Sequence, residues 1–128
     1  MAVFTERELG YLSGQPLMRF ASASPTGRPD VAAVGFSVDG DDIVTAGFDI
    51  TKTVRYRNVA ANPIAVVVID DLASTDPWSP RGIKVRGPAC IEDDGAGQRF
   101  RITPEVIWSW GINDPSGGIP AIERRAVP

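Results

Sequence analysis

The residues best suited to chemistry in this chain form a short cationic cluster near its middle. This cluster, which we call the basic segment, comprises three cations and two hydroxyl side chains: Lys52, Arg55, Arg57, Thr51 and Thr53. No acidic residue occurs from position 51 to position 69, although the chain carries a net charge of -3. Free backbone N–H groups and the helix dipole favour an anion at the start of a helix, and these side chains add to that preference. The basic segment therefore predicts a phosphate site, with a solvated helix face as the equal alternative.

The sequence contains no histidine, which removes many of the catalytic arrangements that enzymes use. The chain has no Ser-His-Asp or Cys-His nucleophile and no imidazole to act as a general base near neutral pH. The single cysteine, Cys90, lies in an apolar segment without a neighbouring cation, so we expect a buried, inert thiol. The aspartates at 39–42 lack the spacing of a calcium loop, and no metal site is expected. A bound organic cofactor is the remaining route to catalysis.

Three tryptophans are candidates for stacking on a planar ligand: Trp78, Trp108 and Trp110. Packing in a core or at an interface is the commoner use of a tryptophan side chain. We therefore expect one of the three to touch a ligand and the others to serve packing.

Composition limits the partners of the chain. With 13 basic and 16 acidic residues and a pI near 4.8, the protein is not expected to bind nucleic acid or an anionic membrane. The longest apolar run, Ile64–Ile69, is too short for a membrane helix. Charged residues near the N-terminus and the lone cysteine argue against a secretory segment and an internal disulfide. A cytoplasmic location is expected.

Several short elements are predicted before the basic segment. Thirteen glycines and eleven prolines favour short strands over a helical bundle, since both residues break helices. Thr5 and Glu8 form a capping box, which predicts a first helix near 5–13. Alternating hydrophobicity and turn residues predict the strands that follow, at 17–24, 30–38 and 43–48.

The basic segment lies in a second predicted helix over 51–61, capped by Thr51 and ended by Asn62-Pro63. Strands are predicted after it, at 64–69 and 82–91, with a loop over 70–80 between them. The segment 100–112 is predicted as a strand, with a helix opening at Thr103-Pro104 as the alternative. Six or seven short strands with two short helices predict a mainly β fold, a small closed or split β-barrel. Residues 1–112 form this barrel, and residues 113–128 are expected to be a mobile or docked tail of the same domain.

The order of several motifs resembles that of the pyridoxamine 5'-phosphate oxidase-like split barrels, and of their deazaflavin-dependent branch. The resemblance covers nearly the whole chain. It is carried by Ser24-Pro25-Thr26-Gly27-Arg28-Pro29 before a strand, by the turn Val38-Asp39-Gly40-Asp41, and by the run from Thr51 to Val59 before Asn62-Pro63. Further matching runs are Asp70 to Trp78, Arg81 to Gly87 and Ser109-Trp110-Gly111.

This resemblance implies an FMN-binding split β-barrel that forms a homodimer, with a flavin-type cofactor in a groove between two barrels. It implies that the cofactor phosphate lies on Thr51, Lys52, Thr53, Arg55 and Arg57. The ring system is then expected against residues 31–36 and 43–47, where Val34, Thr45 and Ala46 are the predicted contacts. The implied cofactor is coenzyme F420, a deazaflavin, with FMN as the alternative. Relatives often carry lysine at the position of Arg55, which keeps the charge and changes the donor geometry.

The implied activity is hydride transfer from reduced deazaflavin to a small unsaturated or quinone-like organic substrate. The alternatives are an FMN-dependent oxidoreductase of the pyridoxamine 5'-phosphate oxidase type and a non-catalytic carrier of the cofactor. The first alternative is weaker, because no second cationic cluster for a substrate phosphate occurs near the C-terminus beyond Arg124 and Arg125.

Overall fold

The computed structural model describes residues 2–115 and 117–128 and contains two α-helices on a mainly β framework. The helices are α1 (Glu6–Ser13) and α2 (Val54–Ala61), and a short 3₁₀ turn, Ile50–Lys52, precedes α2. The strands of the described residues are β1 (Met18–Ala23), β2 (Pro29–Val34), β3 (Ser37–Asp39), β4 (Asp42–Thr45), β5 (Ile64–Thr75), β6 (Trp78–Asp93), β7 (Gln98–Ile102), β8 (Val106–Trp110) and β9 (Ile122–Ala126). No helix in the described part of the chain is long and apolar enough to cross a membrane.

The strands pair antiparallel in the order β2-β1-β5-β6-β7-β4-β3, with β8 on β6 and β9 on β8. The 16-residue strand β6 joins the two halves of the fold. Its first part pairs with β5 and β8, and its last residues, from Ala89 to Asp93, pair with β7. At the change of partner, a Cβ on Gly87 would lie 1.8 Å from the carbonyl oxygen of Thr103. The crossing therefore requires glycine.

The core lies inside this barrel-like sheet, as the predicted mainly β split-barrel class requires. Phe20 and Phe100 have no exposed surface, and their ring centroids are 5.1 Å apart. Ile83, Val85 and Ala89 of β6 are all buried, so they share the face of this strand that points into the core. Cys90 is exposed, so the prediction of a buried thiol is wrong. Alternation along β6 turns its side chain away from the core that Ala89 faces.

The loop predicted over residues 70–80 is instead a long hairpin of β5 and β6. The two strands stay paired as far as Thr75 and Trp78, which leaves only two residues for the turn. Asp71 looks like a loop residue in the sequence, but Arg81 lies directly opposite it and donates two hydrogen bonds to its carboxylate, at 2.6 and 2.9 Å. This cross-strand pair lets a carboxylate lie within a strand.

The C-terminal segment also differs from the prediction. The segment 100–112 is divided between β7 and β8, and no helix opens at Pro104. The segment 113–128, predicted as a tail, contains β9, which extends the sheet by pairing with β8. Nine strands are thus present in the described residues, where six or seven were predicted.

A buried ion pair holds α1 and β9 together. The predicted capping box of Thr5 and Glu8 is confirmed, and the Glu8 side chain is fully buried. Arg125 of β9 donates to both carboxylate oxygens of Glu8, and Asn113 donates to one of them at 2.9 Å. Burial acts to raise the pKa of Glu8, but the hydrogen bonds from Arg125, Thr5 and Asn113 outweigh it and lower that pKa below 4.5.

We expect Glu8→Gln to lower the free energy of unfolding at pH 7 by about 2 to 3 kcal/mol, because Arg125 loses its buried partner. The stabilisation from Glu8 is present above its unfolded pKa and is lost as the pH falls through its lower folded pKa. The difference between wild type and variant should therefore shrink in acid. Urea unfolding at pH 7 and in acid measures both quantities. Glu6→Gln, at an exposed position of the same helix, is the control and should change stability little. Equal stability of Glu8→Gln and wild type at pH 7 would contradict the role of this pair.

Candidate functional site

The basic segment occupies the 3₁₀ turn and the start of α2. The Thr53 hydroxyl caps α2: it accepts from the backbone N–H of Tyr56 at 3.2 Å and donates to the carbonyl of Ile50 at 2.6 Å. The prediction that Thr51 is the cap is wrong, because Thr51 lies inside the 3₁₀ turn. Asp49 caps that turn and accepts from the backbone N–H of Thr51 at 3.1 Å.

Arg55 is the member of the basic segment that the fold brings partly inside. Its Nε is buried and has no hydrogen-bond partner among the described residues. The guanidinium carbon lies 5.9 Å from the ring centroid of Phe100, and a Cβ on Gly47 would be 3.9 Å from Nη2. A buried donor without an acceptor is costly, and the cost is relieved when an anion binds. Arg55 therefore has the environment of an anion-binding side chain, and Gly47 leaves space above it.

Two adjoining cavities form a groove beside Arg55. Gly47, at which a Cβ would lie 3.9 Å from Arg55 Nη2, lines this groove, and Arg55 itself is not among the lining residues. One cavity, of about 370 Å³, is lined by residues 46–51 together with Asp94 and 96–98. The other, of about 290 Å³, is lined by residues 35–37 and 44–46, and also by Asp94 and Arg99. Ala46 and Asp94 belong to both linings, so the two cavities adjoin. Ligand pockets commonly occupy roughly 300 to 1,000 Å³.

Three of the predicted cofactor contacts line this groove. Thr51 lines the first cavity, Thr45 the second, and Ala46 both. The Thr45 hydroxyl donates to the carbonyl of Gly35 at 2.6 Å, and this hydrogen bond joins two parts of the groove wall. Val34, also predicted as a contact, is partly buried and packs against the core.

The other two cations of the basic segment are on the surface. The Lys52 side chain is 82% exposed, and its Nζ lies 3.8 Å from a carboxylate oxygen of Asp49. Arg57 is exposed on α2. The structure thus separates the predicted set into one partly buried cation, Arg55, and two exposed ones. The Thr53 hydroxyl is engaged in capping the helix.

The residues of the groove that the sequence analysis missed include two carboxylates and an exposed phenylalanine. Asp49 lies just before the acid-free stretch, and hydrogen bonds from Thr51 lower its pKa, so it is ionised at neutral pH. Asp94 brings a second carboxylate from the turn before β7. The Phe48 side chain is fully exposed. Asp49 could have been found by its position next to the basic segment, whereas Asp94 is distant in sequence and joins the groove only through folding.

Comparison with known proteins gives matches along most of the chain. Residues 4–111 match the pyridoxamine 5'-phosphate oxidase family. A 5a,11a-dehydrotetracycline/5a,11a-dehydrooxytetracycline reductase from Streptomyces rimosus is 33% identical and covers 96% of this chain and 94% of its own. This relative supports an oxidoreductase.

Two solved structures share the fold. A heme binding protein from Mycobacterium smegmatis has a TM-score of 0.72 at 13% identity, over 98% of this chain and 60% of its own. An F420 reductase has a TM-score of 0.57 at 24% identity, over 76% of this chain and 93% of its own. At these identities the two structures support the fold alone.

We expect Arg55→Met to change the free energy of unfolding by no more than about 1 kcal/mol, because the loss of a cation–π contact is offset by removal of an unpartnered buried donor. Urea unfolding measures this. Arg99→Met is the comparison variant, since the Arg99 guanidinium donates to Glu92 at 3.1 and 3.2 Å and its loss should destabilise the fold more. A loss above about 2 kcal/mol for Arg55→Met would show that Arg55 holds the fold together and is not kept for a ligand.

Proposed function

This chain belongs to the pyridoxamine 5'-phosphate oxidase family, and on that premise we propose that it is an oxidoreductase that uses reduced coenzyme F420. The proposed substrate is a small unsaturated or quinone-like organic molecule. The reductase from Streptomyces rimosus, whose name specifies dehydrotetracyclines, supports both the reaction class and an electron-poor organic acceptor. An F420 reductase shares this fold, so the fold is compatible with a deazaflavin.

The observation that carries the proposal is the buried, unpartnered Nε of Arg55 next to the groove. Flavin-type cofactors carry a phosphate, and a guanidinium binds phosphate through strong charge-assisted hydrogen bonds. Arg55 would hold this phosphate from below, and Lys52 and Arg57 would add positive potential at the surface. The residues present therefore fit the cofactor.

Bound reduced deazaflavin supplies a hydride to an electron-poor double bond. The chain's own part is to position the two reactants in the groove, and the backbone wall formed by residues 44–47 would support the ring system. Hydrogen bonds from Thr51 lower the pKa of Asp49. Its carboxylate is therefore ionised at neutral pH and does not donate a proton. The sequence contains no histidine to donate the proton that completes the reduction, and we infer that solvent supplies it.

The runner-up is an FMN-dependent oxidoreductase, because the contacts of the groove recognise a phosphate that both cofactors carry. A non-catalytic carrier of the cofactor is the third candidate. Turnover of reduced cofactor with quinone and enone acceptors, dehydrotetracyclines among them, separates an enzyme from a carrier. Heme is a weaker candidate, since the chain has no histidine and an axial ligand would have to be cysteine, methionine or tyrosine.

We also propose that the protein is a homodimer, as the family resemblance implies. The outer face of the edge strand β2 is apolar, with Val31 65% exposed. The strand register places Val31, Ala21 and Val66 side by side on this face. An edge strand with an apolar outer surface favours burial against a second copy.

Cofactor binding is expected to depend on Arg55 more than on Lys52. Arg55→Met should weaken binding of F420 by about ten- to a hundredfold, because one charge-assisted contact is lost. Lys52→Ala should weaken it less, since Lys52 is exposed and close to Asp49. Fluorescence titration of each variant with F420 and with FMN measures these affinities and also decides the cofactor. Arg28→Met, in an exposed turn, is the control. Wild-type affinity for both cofactors in Arg55→Met would exclude this phosphate site.

The dimer is expected to persist at micromolar concentration in sedimentation velocity experiments. Val31→Lys places a charge on the proposed interface and should weaken dimerisation at least about tenfold. Leu9→Lys is the control. It likewise replaces an exposed apolar residue with lysine, but on α1, and should leave the dimer intact. A monomeric wild type would refute the dimer, and an undisturbed Val31→Lys dimer would refute this face.

A further inference from the structure

A second cavity lies on the outer face of β6 and β8, away from the groove. It has a volume of about 560 Å³ and shares no lining residue with the two cavities of the groove. It is lined by Trp108 and Trp110 of β8, by Lys84 and Pro80 of β6, and by Ile119, Pro120 and Ile122. We call it the tryptophan cavity. Its volume is that of an ordinary small-molecule pocket.

The wall formed by Trp110 is held in place by the backbone of β6. A Cβ on Gly82 would lie 2.5 Å from Cζ2 and 2.8 Å from Cε2 of Trp110, so the indole lies against a position that only glycine allows. The loop on the other side is tied to β6, because the backbone N–H of Gly118 donates to the Ser79 hydroxyl at 2.9 Å. The cavity is therefore preformed, so binding a ligand costs little conformational entropy of the protein.

One cation, Lys84, lines the cavity, and Arg86 and Arg124 lie close to the ring of Trp108 without lining it. Strand register places Lys84 opposite Trp108 on one side and Arg124 opposite it on the other. Lys84 Nζ is 4.2 Å from the Trp108 ring centroid, and the guanidinium carbons of Arg86 and Arg124 are 5.3 and 5.8 Å from it. None of these three cations forms an ion pair with another described residue.

Such an arrangement selects a ligand by two properties at once. Two indoles next to proline and isoleucine side chains favour a flat aromatic surface. Lys84 in the lining, with Arg86 and Arg124 next to Trp108, favours an anionic group on the same molecule. A small inorganic anion would leave the indoles unused, and a neutral aromatic would leave the cations without a counter-ion. We propose that the tryptophan cavity binds a planar aromatic molecule that carries an anionic group.

This site is independent of the proposed cofactor groove, so failure of one proposal does not affect the other. The probe is 1-pyrenesulfonate, which absorbs where tryptophan emits, so that binding quenches the protein's fluorescence. The neutral analogue 1-pyrenemethanol measures the contribution of the charge. We expect the sulfonate to bind at least tenfold more tightly than the alcohol, and the difference to shrink at high salt.

Substitutions of single residues test whether the probe binds in the tryptophan cavity. Lys84→Met keeps the apolar stem and should weaken sulfonate binding at least tenfold, with little change for the alcohol. Trp108→Phe should also weaken binding, whereas Trp78→Phe, at the tip of the β5–β6 hairpin, should not. Arg28→Met is the control for loss of an exposed cation. Circular dichroism checks that each variant is folded, and Lys84→Met changes a partly exposed position that leaves the core intact.

Arg55→Met distinguishes this cavity from the groove. Sulfonate binding unchanged in Arg55→Met, and not displaced by saturating F420 or FMN, supports the tryptophan cavity even if neither cofactor binds. Wild-type affinity in Lys84→Met, equal affinity for sulfonate and alcohol, or displacement of the probe by a cofactor would overturn the proposal.

Discussion

The close approach of β6 to the chain at Thr103 is the constraint on which most of this structure depends. Gly87 leaves no space for a side chain there, and the backbone of β6 can therefore change partners within one continuous strand. Before this point β6 supports β5 and β8, and after it β6 supports β7, which in turn pairs with β4. The groove depends on the second half and the tryptophan cavity on the first. One steric requirement of the backbone thus positions both candidate sites.

The cations of the chain divide according to whether they have a carboxylate partner. Arg81, Arg99, Arg101 and Arg125 form ion pairs that join strands or attach β9 to α1. Arg55 and the three cations around Trp108 have no such partner among the described residues, and they lie beside cavities. The exposed Arg7, Arg28 and Arg57 also lack a carboxylate partner among the described residues, so an unpaired cation alone does not mark a site. Arg55 and Lys84 differ from these three because they lie beside a cavity.

The absence of histidine is consistent with the chemistry that the family fold supports. A cofactor that carries the hydride leaves the protein with positioning and electrostatics, which need rigid backbone and fixed cations more than a titrating side chain. In the groove, the backbone at Thr45 and Gly47 forms the wall, and Arg55 beside it is the cation. Its two carboxylates, Asp49 and Asp94, add negative charge close to the expected phosphate. Arg55 is the cation best placed to balance them, because it approaches from the protein side.

Local patterns in the sequence determined the elements whose interactions lie close together along the chain. The capping box of Thr5 and Glu8, the α2 region, the apolar strand from Ile64 and the mainly β class all follow from neighbouring residues, and so does the basic segment. The resemblance of several motifs in order added the family and its expected cofactor site.

Only the tertiary structure decided which distant residues meet. Asp71 lies in a strand because Arg81 faces it, and residues 122–126 form β9 because Arg125 reaches the buried Glu8. Arg55 differs from Lys52 and Arg57 because its guanidinium is partly buried next to the ring of Phe100. The sequence does not show this contact. Lys84 and Arg86 come from β6 and Arg124 comes from β9, and register alone brings them next to Trp108 of β8. Register depends on long-range pairing, and a one-residue shift would turn these side chains to the opposite face.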